Sequence, residues 1–172
     1  MKKLTIGWGM VFLILLSACD INSTVNNSWK PVINAQEQPT KGQILPITAQ
    51  ATIARQTINL EVAQTSTQQA TGLMFREYLQ PDRGMLFPFE TPRIARFWMK
   101  NVSIPLDMVF LKGDRVVDIA INVPPCKTES CPVYGPDVLV DRVLELSGGR
   151  SQELGLKPGD KITIEFISPS QP

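Results

Sequence analysis

Short apolar runs separated by turn residues fill the chain after its first quarter, and this pattern constrains the fold more than any other feature. Residues 58–63 and 161–167 alternate between apolar and polar side chains, which is typical of strands with one buried face. Thr65 has a glutamine three residues later, the spacing of a helix capping box, and residues 148–154 are expected to form a second short helix. The sequence therefore predicts a mainly β (α+β) domain, a small antiparallel β-barrel or sandwich with two short helices.

The middle of the chain is expected to contain four strands. The first strand is expected over residues 85–89 and is broken by a Thr-Pro pair, and the second is expected over residues 93–99. Residues 106–111 are almost continuously apolar, and a Lys-Gly-Asp turn joins them to a hairpin partner over residues 115–122.

The first twenty residues have the anatomy of a bacterial export segment. A basic start precedes an apolar run over residues 4–16, which is short for a membrane span, and small residues close the run before Cys19. A cysteine directly after Leu-Ser-Ala is similar to the lipobox of bacterial lipoproteins, in which the thiol receives a diacylglyceryl group and becomes the new N-terminus. An ordinary signal peptide or a lone membrane helix is the alternative. The expected divisions are a signal peptide over residues 1–18, a flexible tether over 19–42 and a domain over 43–172.

Lipidation at Cys19 would anchor the protein outside the cytoplasm, in the bacterial cell envelope. Processing would remove two lysines from the 17 basic residues and leave 15 against 16 acidic ones. A nearly neutral domain lacks the clustered positive charge that binds nucleic acid. The sequence therefore predicts membrane attachment through acyl chains and no nucleic-acid partner.

Cys126 and Cys131 lie in a loop flanked by prolines, and in an oxidising compartment such a pair is expected to form a disulfide. Redox motifs have two residues between their cysteines and this loop has four, so a redox pair and a metal site are the less favoured alternatives. Because the closed loop is small, the bond is expected to contribute only about 2 kcal/mol to stability.

The chain contains no histidine. This excludes Ser-His-Asp and Cys-His catalysis as well as imidazole metal sites. With no recognised catalytic motif either, the sequence favours a protein without enzymatic activity and predicts no cofactor and no bound metal.

Three motifs carry a family resemblance: Gly-Leu-Met-Phe-Arg at 72–76, Gly-Met-Leu-Phe at 84–87, and Phe-Trp-Met-Lys-Asn at 97–101, followed closely by Ile-Pro-Leu-Asp. They closely resemble the DUF192 (UPF0127) family, over most of residues 57–167. The resemblance implies a domain and brings no established biochemical activity with it.

Polar side chains beside bulky apolar ones, within or next to these motifs, are the candidate ligand-binding residues: Arg76, Trp98, Lys100, Asn101 and Asp107. If Arg76, Lys100 and Asp107 converge, they form a charge-paired pocket in which Asn101 donates and accepts hydrogen bonds. Such a pocket suits a small anionic or polyhydroxyl ligand. The alternative is a partly buried structural ion pair between Arg76 and Asp107, with Lys100 extending into solvent.

Two further hypotheses concern chemistry without histidine. Four methionines offer thioether ligands for Cu(I), although methionines beside aromatic rings more often fill gaps in a core: Met74, Met85, Met99 and Met108. Asp107 and Glu145 are candidate carboxylates for sugar-bond hydrolysis, but alternation along the chain predicts that Glu145 faces solvent.

These observations together predict an extracytoplasmic binding or accessory module that recognises a small ligand or an envelope protein. The alternative function is a carboxylate-based enzyme that acts on envelope saccharides.

Overall fold

A curled seven-stranded β-sheet is the framework of the protein in the computed structural model, which describes residues 41–168. The strands are β1 (Ile47–Ile53), β2 (Gln56–Val62), β3 (Arg83–Arg93), β4 (Phe97–Trp98), β5 (Leu106–Lys112), β6 (Arg115–Val123), β7 (Val133–Tyr134), β8 (Val140–Ser147) and β9 (Thr163–Phe166). The helices are α1 (Ser66–Thr71) and α2 (Arg150–Glu153). Within the described part of the chain, no helix has the length and hydrophobicity needed to cross a membrane.

The strand order in the large sheet is β6-β5-β8-β3-β2-β1-β9, while β4 and β7 pair separately. All neighbours in the large sheet are antiparallel except β2 and β3, which are parallel. A parallel pair needs a crossover connection, and the segment containing α1 supplies it. The predicted mainly β fold with two short helices is confirmed, with this one parallel pair added.

The predicted break after residue 89 is wrong, because β3 continues through Pro92 to Arg93. The register with β8 shifts between Pro88 and Arg93, so the prolines fall in an irregular stretch where a missing N–H costs little. Of the strand predicted over residues 93–99, Arg93 is the last residue of β3, and only Phe97–Trp98 forms a separate strand.

Both faces of the large sheet are buried against hydrophobic clusters. One face carries Leu60, Leu86, Val109 and Leu144, together with residues of β1 and of the segment after α2. The opposite face carries a second cluster rich in sulfur and aromatic side chains, which includes Met85, Met99, Met108, Phe87 and Phe110. Strands β3, β5 and β8 are therefore buried on both sides.

The capping box predicted at Thr65 is present. The Thr65 hydroxyl oxygen accepts from the backbone N–H of Gln68 at 3.2 Å, and Gln68 Oε1 accepts from the backbone N–H of Thr65 at 3.0 Å. The helix ends at Gly72, whose φ of 48° suits a residue without a side chain. The chain then turns back toward the second cluster through the motif at 72–76.

Candidate functional site

Two of the three sequence motifs meet beside the second cluster. The backbone N–H of Phe75 donates to the carbonyl oxygen of Asn101 at 2.8 Å. Asn101 Nδ2 also lies 3.9 Å from the Sδ atom of Met74. These two contacts hold the segment at 72–76 beside the end of the segment at 97–101.

Phe75 and Asn101 both have left-handed backbone conformations, with φ of 60° and 59°. Asparagine adopts this region at modest cost, whereas a bulky residue such as phenylalanine does so rarely. Strained residues persist only where the surrounding structure holds them, and they concentrate at functional sites. Two such residues joined by one hydrogen bond mark this junction as a candidate site.

A cavity of about 580 Å³ opens at the junction. Its residues come from the two motif segments and from the loop after β6: Phe75, Asn101, Val102, Ser103, Pro124, Pro125, Cys126 and Lys127. Phenyl and pyrrolidine rings provide apolar walls, and amide, hydroxyl and ammonium groups provide hydrogen-bond donors. This mixture of apolar walls and a few polar groups is characteristic of small-molecule sites.

The cysteine loop forms one wall of this cavity. Cys126 and Cys131 are joined by a disulfide with a Cα–Cα distance of 5.7 Å, as the sequence predicted. The backbone N–H of Cys126 donates to the carbonyl oxygen of Met99 at 3.4 Å. The loop is therefore attached to the same motif segment that carries Asn101.

The five predicted site residues do not form one pocket. Asn101 lines the cavity described above, while Arg76 lines two different cavities, one of which also includes Phe75. Trp98 is 48% exposed on β4, and the Lys100 ammonium lies 5.5 Å from the centre of its ring. Lys100 is exposed, as the structural alternative proposed.

Asp107 is fully buried and acts as a hub that joins separate segments. Its Oδ1 accepts from the backbone N–H groups of Asn122 and Gly149 at 2.6 and 2.7 Å. Its Oδ2 accepts from the backbone N–H and the hydroxyl of Ser151, both at 2.6 Å. Asp107 thus fastens β6 and the start of α2 to β5, and it lines none of the cavities described above.

The ion pair proposed between Arg76 and Asp107 is not formed. Arg76 Nη2 lies 2.5 Å from Glu61 Oε2, and the two side chains are only 14% and 6% exposed. Arg76 Nε donates to the carbonyl oxygen of Gln43 at 2.6 Å, and the backbone N–H of Leu45 donates to Glu61 Oε2 at 2.7 Å. This buried pair joins the segment before β1 to β2 and to the motif at 72–76.

Glu145 is buried, so the prediction that it faces solvent is wrong. It lies in β8 directly between Met85 of β3 and Met108 of β5. Desolvation by this apolar environment raises the pKa of the Glu145 carboxyl to about 8. Asp107 is adjacent to Met108 in β5 and therefore faces the opposite side of the sheet from Glu145, so the two carboxyls do not form a catalytic pair.

The four methionines considered as copper ligands all lie in or against the second cluster. Met85, Met99 and Met108 are buried there and Met74 packs against it, next to Phe87 and Phe110. This placement is typical of methionine side chains that fill gaps between aromatic rings in a hydrophobic core. Within residues 41–168, no group of three or more Cys, Asp or Glu side chains is arranged to hold a metal.

Sequence reasoning missed Phe75, Ser103 and Lys127 as cavity residues, and Glu61 as the partner of Arg76. For Phe75, the signal that the sequence offered was its position inside one of the family motifs. Lys127 follows a cysteine in the proline-flanked loop, but nothing in the sequence indicates that this loop packs against Asn101.

The comparisons with known proteins agree with the motifs. Residues 47–164 match the family DUF192, described as an uncharacterized ACR. A solved structure of a protein of unknown function from Novosphingobium aromaticivorans DSM 12444 is 39% identical, with a TM-score of 0.62, and the match covers 69% of this chain and 84% of that one. A Sinorhizobium meliloti 1021 protein described as a candidate transcription regulator is 32% identical, with a TM-score of 0.61, and the match covers 73% and 98% of the two chains. No curated protein matches the sequence. The chain belongs to the DUF192 family.

Proposed function

We propose that this chain is a lipid-anchored binding module of the bacterial cell envelope, and that it takes a small ligand in the cavity beside Phe75 and Asn101. The observation that carries the proposal is the junction of two family motifs and the cysteine loop around one open cavity, with a strained residue on each motif. The ligand is expected to be a small molecule bearing hydroxyl or carboxylate groups.

The chemistry of the cavity supports that class of ligand. The Asn101 amide donates and accepts hydrogen bonds, the Ser103 hydroxyl does the same, and the Lys127 ammonium attracts negative charge. Phe75 and the two prolines offer flat apolar surfaces for the carbon skeleton of a sugar or a short acid. Lys127 is exposed, so its attraction for a ligand is expected to weaken as salt is added.

The test is an NMR or calorimetric titration of the purified full chain with a panel of monosaccharides, disaccharides and short carboxylic acids. Saturable binding of one member should weaken about tenfold or more in Lys127→Gln, which removes the positive charge, and in Ser103→Ala, which removes a hydrogen-bond donor from the cavity. Lys157→Gln is the matched control, because Lys157 is also an exposed lysine but does not line the cavity.

Three results would count against the proposal: no saturable binding across the panel, equal weakening in the control, or turnover of the bound compound. The first two remove the cavity as a ligand site. Turnover would instead favour the alternative enzymatic function.

Anchoring through Cys19 is tested separately. Cells grown with radioactive palmitate are expected to label the wild-type chain and not Cys19→Ser, because the thiol is the proposed point of lipid attachment. Several acyl chains bind a membrane stably where one does not, so the wild type is expected in the membrane fraction. Unlabelled wild-type protein would contradict the anchor without affecting the cavity proposal.

A further inference from the structure

A second, smaller cavity lies beside the buried pair of Arg76 and Glu61. Its volume is about 210 Å³, and Arg83 also lines it, with Leu79 and Gln80 on the wall. Tyr78 and Ile44 stand at its rim with 65% and 74% of their surfaces exposed, so the cavity is open to solvent. The cavity at Phe75 and Asn101 shares none of these residues.

Arg83 is positioned by the sheet. It begins β3 and pairs with Asn59 across the parallel ladder, two residues before the pairing of Met85 with Glu61. Residues two apart in a strand face the same side, so Arg83 and Glu61 lie on one face of neighbouring strands. The side chain is only partly exposed.

The guanidinium of Arg83 is under-satisfied. Its Nε is buried and has no hydrogen-bond partner among the described residues. No acidic side chain in residues 41–168 lies within ion-pair distance of Arg83. Nε itself is closed off from the cavity, but Arg83 lines it, so the terminal N–H groups of the guanidinium are the donors available to an acceptor that enters from solvent.

The local charge specifies that acceptor. Arg76 and Glu61 neutralise one another, which leaves the positive charge of Arg83 uncompensated within the cavity lining. A ligand with one negative charge makes the cavity electrically neutral, whereas a dianion leaves an excess of negative charge. A planar carboxylate also matches the fork of N–H groups on a guanidinium.

From these observations we propose that the cavity of Arg76, Glu61 and Arg83 is a binding site for a small monocarboxylate, separate from the site at Phe75 and Asn101. Arg83 donates to the carboxylate through its terminal N–H groups. The Arg76–Glu61 pair forms the fixed polar floor, and Leu79 contacts the short alkyl portion. The small volume restricts the ligand to a few heavy atoms, or to the carboxyl end of a longer molecule that extends past Tyr78.

The experiment is an NMR titration of the full chain with sodium acetate and sodium propionate at constant ionic strength, followed at the Arg83 Nε–H resonance. This resonance is expected to shift with saturation. In Arg83→Lys, which keeps the charge and loses the planar fork, amide signals around the cavity should report binding about tenfold weaker or more.

Arg55→Gln is the matched control, since Arg55 is exposed in the β1–β2 turn, six residues and roughly 20 Å along the strand from Glu61. It should bind acetate as the wild type does. A shift produced equally by sodium chloride, a stronger response to inorganic phosphate, or unchanged binding in Arg83→Lys would overturn the proposal. Lys127→Gln changes the site at Phe75 and Asn101 and leaves this cavity intact. This variant should therefore bind acetate here as the wild type does, which distinguishes this site from the first one.

Discussion

Phe75 donates its backbone N–H to the carbonyl oxygen of Asn101 over 2.8 Å, and both residues have left-handed backbone conformations. The bond joins two motifs, and the two bonded residues are 26 positions apart in the chain. Asparagine adopts this conformation at modest cost, whereas phenylalanine adopts it rarely. The junction is therefore maintained by contacts across it. Substitutions at the junction are expected to distinguish the cost of the backbone conformation from the contribution of the side chain.

Asn101→Gly is expected to keep the fold, because glycine adopts a φ of 59° without steric cost, but it removes the amide from the cavity. Asn101→Val is expected to lower the free energy of unfolding by about 1–2 kcal/mol, since a β-branched side chain is disfavoured in this region. Urea denaturation of the two variants measures the difference. Equal stability of the glycine and valine variants would show that the left-handed conformation is not retained in solution.

Asp107 is expected to be essential for stability. Asp107→Ala leaves the backbone N–H groups of Asn122, Gly149 and Ser151 without their acceptor, and each buried unsatisfied donor costs about 1–3 kcal/mol. The total loss is expected to be at least about 3 kcal/mol, measured by denaturant unfolding. Ser151→Ala removes only the hydroxyl bond and serves as the milder comparison, expected near 1 kcal/mol. A fully stable Asp107→Ala variant would contradict the role of Asp107 as a structural hub.

Local features of the fold were predictable from the sequence, and features set by burial on two sides were not. The capping box at Thr65 and the disulfide at Cys126 depend on residues close in the chain. Glu145 alternates with Leu144 and Leu146, which predicts an exposed side chain if only one face of the sheet is covered. The structure covers both faces, so alternation carries no information about exposure in β8.

The candidate site was predicted only in part for a related reason. Asn101 lines a cavity and its role in binding stays a prediction, while the ion-pair partner of Arg76 depends on the parallel crossover from β2 to β3. That crossover brings Glu61 next to the motif at 72–76. Apolar periodicity predicts strands and does not predict which strands become neighbours, so Arg76 was paired with the wrong carboxylate.

The disulfide is expected to contribute modestly to stability. Replacing Cys126 and Cys131 together with serine should lower the free energy of unfolding by about 2 kcal/mol, because the bond closes a loop with a sequence separation of only five residues. Thermal unfolding with and without reductant should give the same difference for the wild type. A loss well above this value would mean that the loop also holds the motif segment through the bond from Cys126 to Met99.

Glu145 should make the protein less stable as pH rises. Burial raises the pKa of its carboxyl from 4.5 to about 8, so between these values the folded chain keeps a proton that the unfolded chain releases. The free energy of unfolding should therefore fall with increasing pH, by at most about 1.4 kcal/mol per pH unit. Glu145 causes no loss below pH 4.5 and no further loss above about pH 8.

Glu145→Gln keeps a neutral side chain of the same shape at every pH, so the free energy of unfolding measured in urea from pH 5 to 8 should depend less on pH. Glu90→Gln, at an exposed position, should keep the wild-type slope. If the wild type and Glu145→Gln lose stability equally over this range, Glu145 is already ionised in the folded protein and Met85 and Met108 do not desolvate it.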